Sequence, residues 1–312
     1  MKYIKYGSAA VVLAALLWSL DGLLRRQLYS LPAPVIVFWE HVFGLIILAP
    51  FIISSFKAFK KLTQKQWIAI IGVSFLSGAL GTILYTAALG RIQFIPFSVV
   101  VLLQQLNPIF AISTAAILLR EPLSKKFFGL AAVALVAGYF VSFPNLSVNF
   151  STGSGTLVAA LFAVGAAACW GTSTAFSKYA LKDTSSMHIT ALRFGFTPIF
   201  ALMFVFLSGS SKSLGSLSFV QFKYIVAITF STGLVALIIY YFGLKRVLAS
   251  RAAILELTWP LSAVFVGYVF LKEGLSATQG LGAIAMTWAI YSIAKDAKST
   301  KTASPKLSKA TS

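Results

Sequence analysis

Charge is scarce in this chain, and acid is scarcer still. Charged residues make up 11% of it, with 7 Asp and Glu against 26 Lys and Arg; an average soluble domain carries about a quarter. A water-soluble fold could not cover itself with so little polar surface. Cysteine is almost absent. The single Cys169 excludes an internal disulfide and any CxxC metal site. It sits among alanines and reads as a small packing residue. The two histidines, His41 and His188, lie far apart. There is no HExxH, GxSxG or Walker A motif and no metal-ligand cluster. No cofactor and no enzymatic activity are therefore expected.

What is present is apolar sequence. Aliphatic and aromatic residues reach 58%, 27 of them phenylalanine. Runs near the ~20 residues that cross a bilayer number ten, at about 6–28, 34–55, 66–89, 95–119, 126–143, 155–180, 187–208, 220–244, 249–271 and 277–294. Backbone polar groups in lipid must be satisfied within the segment, so each run is expected to be a helix. Pro32 and Pro34, Pro96, Pro144-Asn145 and Gly153-Ser154-Gly155 punctuate the connections. The fold class is an all-α polytopic membrane protein. The first run resembles a signal peptide, but it is long, lacks a small-x-small site and is followed by Arg25-Arg26; an uncleaved span is expected.

A net charge of +19 could suggest nucleic acid. The cations instead lie between apolar runs and in the tail, so no nucleic-acid partner is expected. With the N-terminus inside, cytoplasmic segments hold 19 Lys and Arg and external ones 6. That split predicts both termini in the cytoplasm and a place in the plasma (inner) membrane. Residues 295–312, rich in Lys, Ser and Thr, read as a disordered basic tail.

The chain repeats itself. Leu255-Glu256-Leu257-Thr258-Trp259-Pro260 is followed by Lys272-Glu273, and Leu103-Gln104-Gln105-Leu106-Asn107-Pro108 by Arg120-Glu121. Each glutamate stands 13 residues after its proline, and the two copies are 152 residues apart. At the same offset Trp18 aligns with Trp170, His41 with Arg193 and Gln104 with Glu256. Two five-helix repeats, 6–143 and 155–294, are expected. An odd span number makes them inverted, which is a transporter architecture.

An ionised group mid-span costs about 2.5–3.5 kcal/mol on insertion scales, so the few that occur mark candidate sites. Glu256 lies about 12 Å deep at 1.5 Å per residue. Pro260 removes a backbone bond to residue 256 and frees its carbonyl. Glu256 reads as a proton carrier, an amine ligand or a partner of Arg193. Gln104 shares a face with Asn107 and binds a polar substrate or a neighbouring helix. Asp21 pairs with Arg25 at i, i+4 or stands as a cavity acid. Glu40 and His41 point about 100° apart on a helix, so one of them faces any given point, and His41 suits a proton relay. Arg193 is a counter-charge for substrate or a partner for an acid. Trp18, Trp170 and Trp259 could line a cavity, with Tyr85 and Tyr240 among the further aromatic candidates. Glu121 and Glu273 read as interfacial ion pairs with Arg120 and Lys272.

Trp170-Gly171, Leu192-Arg193-Phe194, Ala249-Ser250-Arg251-Ala252-Ala253 and Pro260 with Lys272-Glu273 resemble the EamA domain of the drug/metabolite transporter superfamily. Trp18-Ser19, Pro108 and Arg120-Glu121 repeat the plan, so the resemblance covers residues 8–294. It implies a secondary transporter, often an exporter, of an amino acid or other small metabolite, driven by a proton or another gradient. Glu40-His41 and Asp21 depart from the pattern. A passive channel or uniporter, and an intramembrane enzyme, are the alternatives. The partners expected are a small-molecule substrate and the lipid bilayer. One chain holds both repeats, so a monomer suffices, and an oligomer stays open.

Overall fold

A computed structural model describes residues 2–91, 100, 103–142, 155–262, 265 and 276–296. Their helices are α1 (Lys2–Trp18), α2 (Ala33–Ser54), α3 (Gln64–Val73), α4 (Thr82–Leu89), α5 (Asn107–Leu118), α6 (Lys125–Ser142), α7 (Gly155–Ala180), α8 (Ser186–Leu207), α9 (Phe219–Ile228), α10 (Leu234–Leu244), α11 (Ala249–Leu255) and α12 (Ala277–Asp296). A short helix, Asp21–Arg25, follows α1. No strand occurs among the described residues. Among the described residues six helical stretches are long and apolar enough to cross a membrane: Tyr6–Leu28, Ala33–Ser54, Gln64–Leu89, Leu157–Ala180, Ser186–Leu207 and Phe219–Leu244. Ile117 and Leu207, 81% and 74% exposed, turn outward as lipid-facing residues do. Pro96, Pro144-Asn145, the Lys272–Glu273 pair and the tail from Lys298 lie outside the described residues.

Local chemistry marks the duplication. Thr63 Oγ1 accepts the Gln66 N–H at 3.2 Å, and Gln66 Oε1 accepts the Thr63 N–H at 3.0 Å. Ser218 and Gln221 do the same at 3.2 and 2.8 Å. Each capping box satisfies N–H groups that a helix start leaves free. The helices they open, α3 and α9, then widen into π-helical turns at Ser74–Gly81 and Thr229–Gly233. Such turns commonly sit at functional sites.

Packing follows the same symmetry. Helix α2 lies on its repeat equivalent α8, and α6 on α12. Helix α1 lies on α10 as α7 lies on α3 and α4. A Cβ on Gly7 would stand 2.7 Å from the Arg246 Cβ, and one on Gly243 2.7 Å from the Gly7 carbonyl oxygen. Glycine at both positions lets α1 and α10 touch by backbone, the usual way membrane helices gain contact.

Two sequence expectations change here. The Glu256 carbonyl is not free, because it accepts the Trp259 N–H at 2.9 Å. The chain turns at Glu256-Leu257, and the tighter i to i+3 bond serves the carbonyl that Pro260 cannot. Glu121 is not an ion-pair partner of Arg120. Its carboxylate accepts the N–H groups of Ala249 at 2.7 Å and Ser250 at 3.0 Å, and the Ser250 hydroxyl at 2.6 Å. It caps the start of α11 from the other half of the chain, because that helix offers unpaired N–H groups and a positive dipole end.

Candidate functional site

The helices meet around one cavity, lined by 27 residues. It encloses about 170 Å³, counted as the space open to water centres, enough for about half a dozen waters at their liquid share of ~30 Å³ each. All eleven residues picked out from the sequence line it: Trp18, Asp21, Glu40, His41, Tyr85, Gln104, Trp170, Arg193, Tyr240, Glu256 and Trp259. Glu40 and His41 therefore both border the space, although they point apart.

Sequence reading missed Ser77, Thr82, Ser173, Thr174, Ser177 and Thr232 as lining residues, whereas Asn107, expected beside Gln104, is there. Two signals were available. Ser77 and Thr232 lie in the two π-helical turns, and both turns follow capping boxes of the form Ser/Thr-x-x-Gln. Ser173, Thr174 and Ser177 stand three, four and seven residues after Trp170, on one face of α7.

The charges divide into two groups. In the first, Arg25 is buried between two acids: its Nε pairs with Asp21 Oδ2 and its Nη2 with Glu40 Oε2 at 2.8 Å. Thr232 Oγ1 donates to Asp21 Oδ1 at 2.6 Å, and Arg25 Nη1 donates to Thr86 Oγ1 at 3.4 Å. Arg25 and Glu40 are 3% and 4% exposed. Burying such a set is tolerable because each charge is met by an opposite charge or a hydroxyl.

In the second group no acid meets the cation. Arg193 donates from Nη1 to the Tyr241 hydroxyl at 3.0 Å and from Nη2 to Ser77 Oγ at 2.9 Å. The expected pairing of Arg193 with an acid does not occur among the described residues; the ion pairs there are those of Arg25. Proximity decided it. Ser77 and Tyr241 sit on α3's π-turn and α10, which flank α8. Glu256 is likewise without a cation among the described residues. Its Oε1 accepts the Tyr240 hydroxyl at 2.6 Å and its Oε2 accepts Asn107 Nδ2 at 3.3 Å. His41 is held through Nδ1 by the Val37 carbonyl at 2.9 Å and lies 4.9 Å from the Phe194 ring.

Aromatic rings form the rest of the wall. Trp18 and Tyr240 stand 5.1 Å apart at 53°, and Trp170 and Tyr85 also stand 5.1 Å apart at 53°. These are the same pair in the two repeats. Trp259 lies 6.2 Å from Tyr85 and donates its indole N–H to the Trp18 carbonyl at 3.1 Å. Trp170 donates its own to the Ser77 carbonyl at 3.2 Å. With both N–H groups satisfied, the indoles turn ring surface to the cavity. Gly171 beside Trp170 is required, since a Cβ there would stand 2.5 Å from the Asn107 carbonyl oxygen.

An all-helical bundle with interrupted helices around a polar, aromatic cavity defines a multi-pass membrane transporter. The chain belongs to the EamA-like transporter family, whose model matches residues 5–143 and again 157–295. It is 34% identical over 293 residues to a riboflavin transporter, ImpX, of Fusobacterium nucleatum, covering 93% of this chain and 97% of that one. It is 26% identical to the protein LicB of Haemophilus influenzae, covering 84% and 88%. An uncharacterized transporter of Archaeoglobus fulgidus is 24% identical, covering 89% and 92%. A solved crystal structure superposes with a TM-score of 0.73 at 15% identity, over 95% of this chain and 98% of its own. That likeness concerns the fold alone.

Proposed function

We propose that this protein is a secondary transporter that carries a flat, polar aromatic metabolite of the riboflavin class across the plasma membrane. Ten spans in two inverted repeats, 6–143 and 155–294, alternate access to the central cavity from either side. Both termini lie in the cytoplasm, as the 19 to 6 division of cations supports. A single chain suffices for the pathway.

The observation that carries this reading is the wall of five rings, Trp18, Tyr85, Trp170, Tyr240 and Trp259, around one cavity. Offset or tilted ring contacts favour a planar aromatic guest over an aliphatic one. The relative named as a riboflavin transporter, similar along almost its whole length, supports the same class. Glu256 is the proton site of the cycle. It is a carboxyl without a cation, held by the hydroxyl of Tyr240 on one side and the amide of Asn107 on the other. A proton taken up there on one side of the membrane and released on the other couples transport to a pH gradient.

The test is flux of riboflavin, followed by its fluorescence, into sealed proteoliposomes with and without an imposed pH gradient. Accumulation that follows the gradient is expected, and the sign of the gradient that drives it gives the direction. Riboflavin flux no faster than into protein-free vesicles would remove the proposal.

One observation favours a second substrate. Arg193 and Glu256 set opposite charges in the same cavity, as the carboxylate and ammonium of an aromatic amino acid require. Labelled tryptophan and phenylalanine in the same vesicles decide between the two.

A further inference from the structure

Polar groups that have found no partner collect in the cavity. Five buried side-chain atoms among the described residues lack a hydrogen bond: Ser8 Oγ, Gln104 Oε1, Asn107 Oδ1, Ser173 Oγ and Arg193 Nε. All but Ser8 belong to residues that line the cavity. In the cavity wall these are a donor and two amide oxygens, with a hydroxyl that can serve either way.

Their orientation is fixed by the bonds they do make. Gln104 Nε2 is tied to the Ala163 carbonyl at 2.6 Å, which leaves Oε1 unspent on a side chain 4% exposed. Asn107 spends Nδ2 on Glu256 and keeps Oδ1. Arg193 spends both terminal nitrogens on Tyr241 and Ser77 and keeps Nε. Ser173 is 1% exposed and sits one helical turn from Trp170. The Trp170 indole in turn reaches the carbonyl of the same Ser77 that Arg193 holds by its hydroxyl. Asn107 approaches the same stretch, its Oδ1 lying 2.8 Å from where a Cβ on Gly171, next to Trp170, would stand.

We infer that Gln104, Asn107 and Arg193 read the hydrogen-bonding edge of the substrate ring, and that they select an imide or lactam edge, in which N–H adjoins C=O. The inference rests on the aromatic-metabolite reading above and names the part of the substrate that is recognised. Arg193 Nε donates to a ring carbonyl. The amide oxygens of Gln104 and Asn107 share the single ring N–H. A guest with acceptors alone leaves the amide oxygens unmet, and one with donors alone leaves the guanidinium unmet. Discrimination of this kind is strong because a buried polar group left without its partner keeps its whole desolvation penalty. An aliphatic or purely hydrocarbon ring satisfies none of the groups.

The experiment compares riboflavin, whose ring carries the N–H between two carbonyls, with 3-methylriboflavin, which lacks that hydrogen. Binding is read by quenching of flavin fluorescence on the purified full chain, and flux by the proteoliposome assay. Wild type, Gln104→Met and Asn107→Leu are measured with both ligands, and thermal unfolding confirms that each variant is folded. Wild type is expected to bind riboflavin about 10- to 100-fold more tightly than the methylated flavin. Each variant is expected to lose about tenfold for riboflavin and to bind the methylated flavin as wild type does. The residue and the ring N–H are then coupled in a cycle. Ser173→Ala, a smaller change, serves if either variant fails to fold, and is expected to weaken riboflavin binding by about threefold. Equal binding of the two flavins by wild type, or equal weakening of both by the variants, would overturn the inference and leave the transport reading intact. Failure of wild type to bind or move either flavin would remove both.

Discussion

Each repeat sets one arginine in the wall of the cavity, Arg25 and Arg193, and the two are treated differently. Arg25 is enclosed by Asp21 and Glu40, with Thr86 completing its bonds. Arg193 meets only the hydroxyls of Ser77 and Tyr241 among the described residues and retains an unspent Nε. The positions are not equivalents, since Arg25 follows the first helix of its repeat and Arg193 lies in the second helix of its own. The scaffold was duplicated, as the matched Trp–Tyr pairs, capping boxes and π-turns show. The charges placed on it then diverged. A saturated ion set is an anchor, because it asks nothing more of its surroundings. A guanidinium held by neutral groups keeps capacity for a ligand.

Removing the two arginines is the sharpest way to break this comparison. Arg25→Met strands two buried acids and is expected to cost about 3–5 kcal/mol, as breaking a buried pair does. Arg193→Met strands two hydroxyls that can turn to other acceptors, and is expected to cost about 1–2 kcal/mol. Melting of the two variants in detergent checks it; equal losses would show that the two sites do the same job. Asp21→Asn with Glu40→Gln should restore part of the Arg25→Met loss, whereas neutralising Asp21, Glu40 or Glu256 should do nothing for Arg193→Met.

Glu256→Gln sharpens the functional side. Flux should become independent of the imposed pH gradient, while riboflavin affinity changes by less than about threefold, under 1 kcal/mol. A variant that keeps its pH dependence would take the proton role away from Glu256. Smaller effects are expected where neutral bonds hold the halves together. Glu121→Ala leaves the start of α11 uncapped and should lower stability by about 1–2 kcal/mol, with Glu121→Gln losing less; a change within error would mean that water replaces the carboxylate. Thr232→Val deletes a single hydroxyl from the Asp21 side of the ion set and should cost about 1 kcal/mol, with Asp21 still held by Arg25. A loss as large as that of Arg25→Met would make Thr232 an equal member of the anchor.

Much of this architecture could be read along the chain. Membrane insertion sums hydropathy over a window, so the apolar runs needed no knowledge of their neighbours. The duplication showed itself through spacing, with Gln104, Asn107 and Pro108 set against Glu256, Trp259 and Pro260. All eleven candidate residues line one cavity, because polar and aromatic side chains deep in a span have few other places to go. Asp21 with Arg25 was legible too, since residues at i, i+4 meet on any helix.

What the sequence determined by itself, then, is where the six long apolar helices lie, that the family pattern comes in two copies, and which residues are too polar to face lipid. Only the tertiary structure decided who meets whom. Glu40 joins Arg25 across 15 residues, Glu256 meets Asn107 across 149, Arg193 meets Ser77 across 116, and Glu121 reaches Ser250 across 129. None of these pairings is favoured by the local chain. A charged or amide side chain bonds whichever donor or acceptor the packed helices bring within about 3 Å, and that is settled by how ridges, glycines and π-turns seat one helix on another.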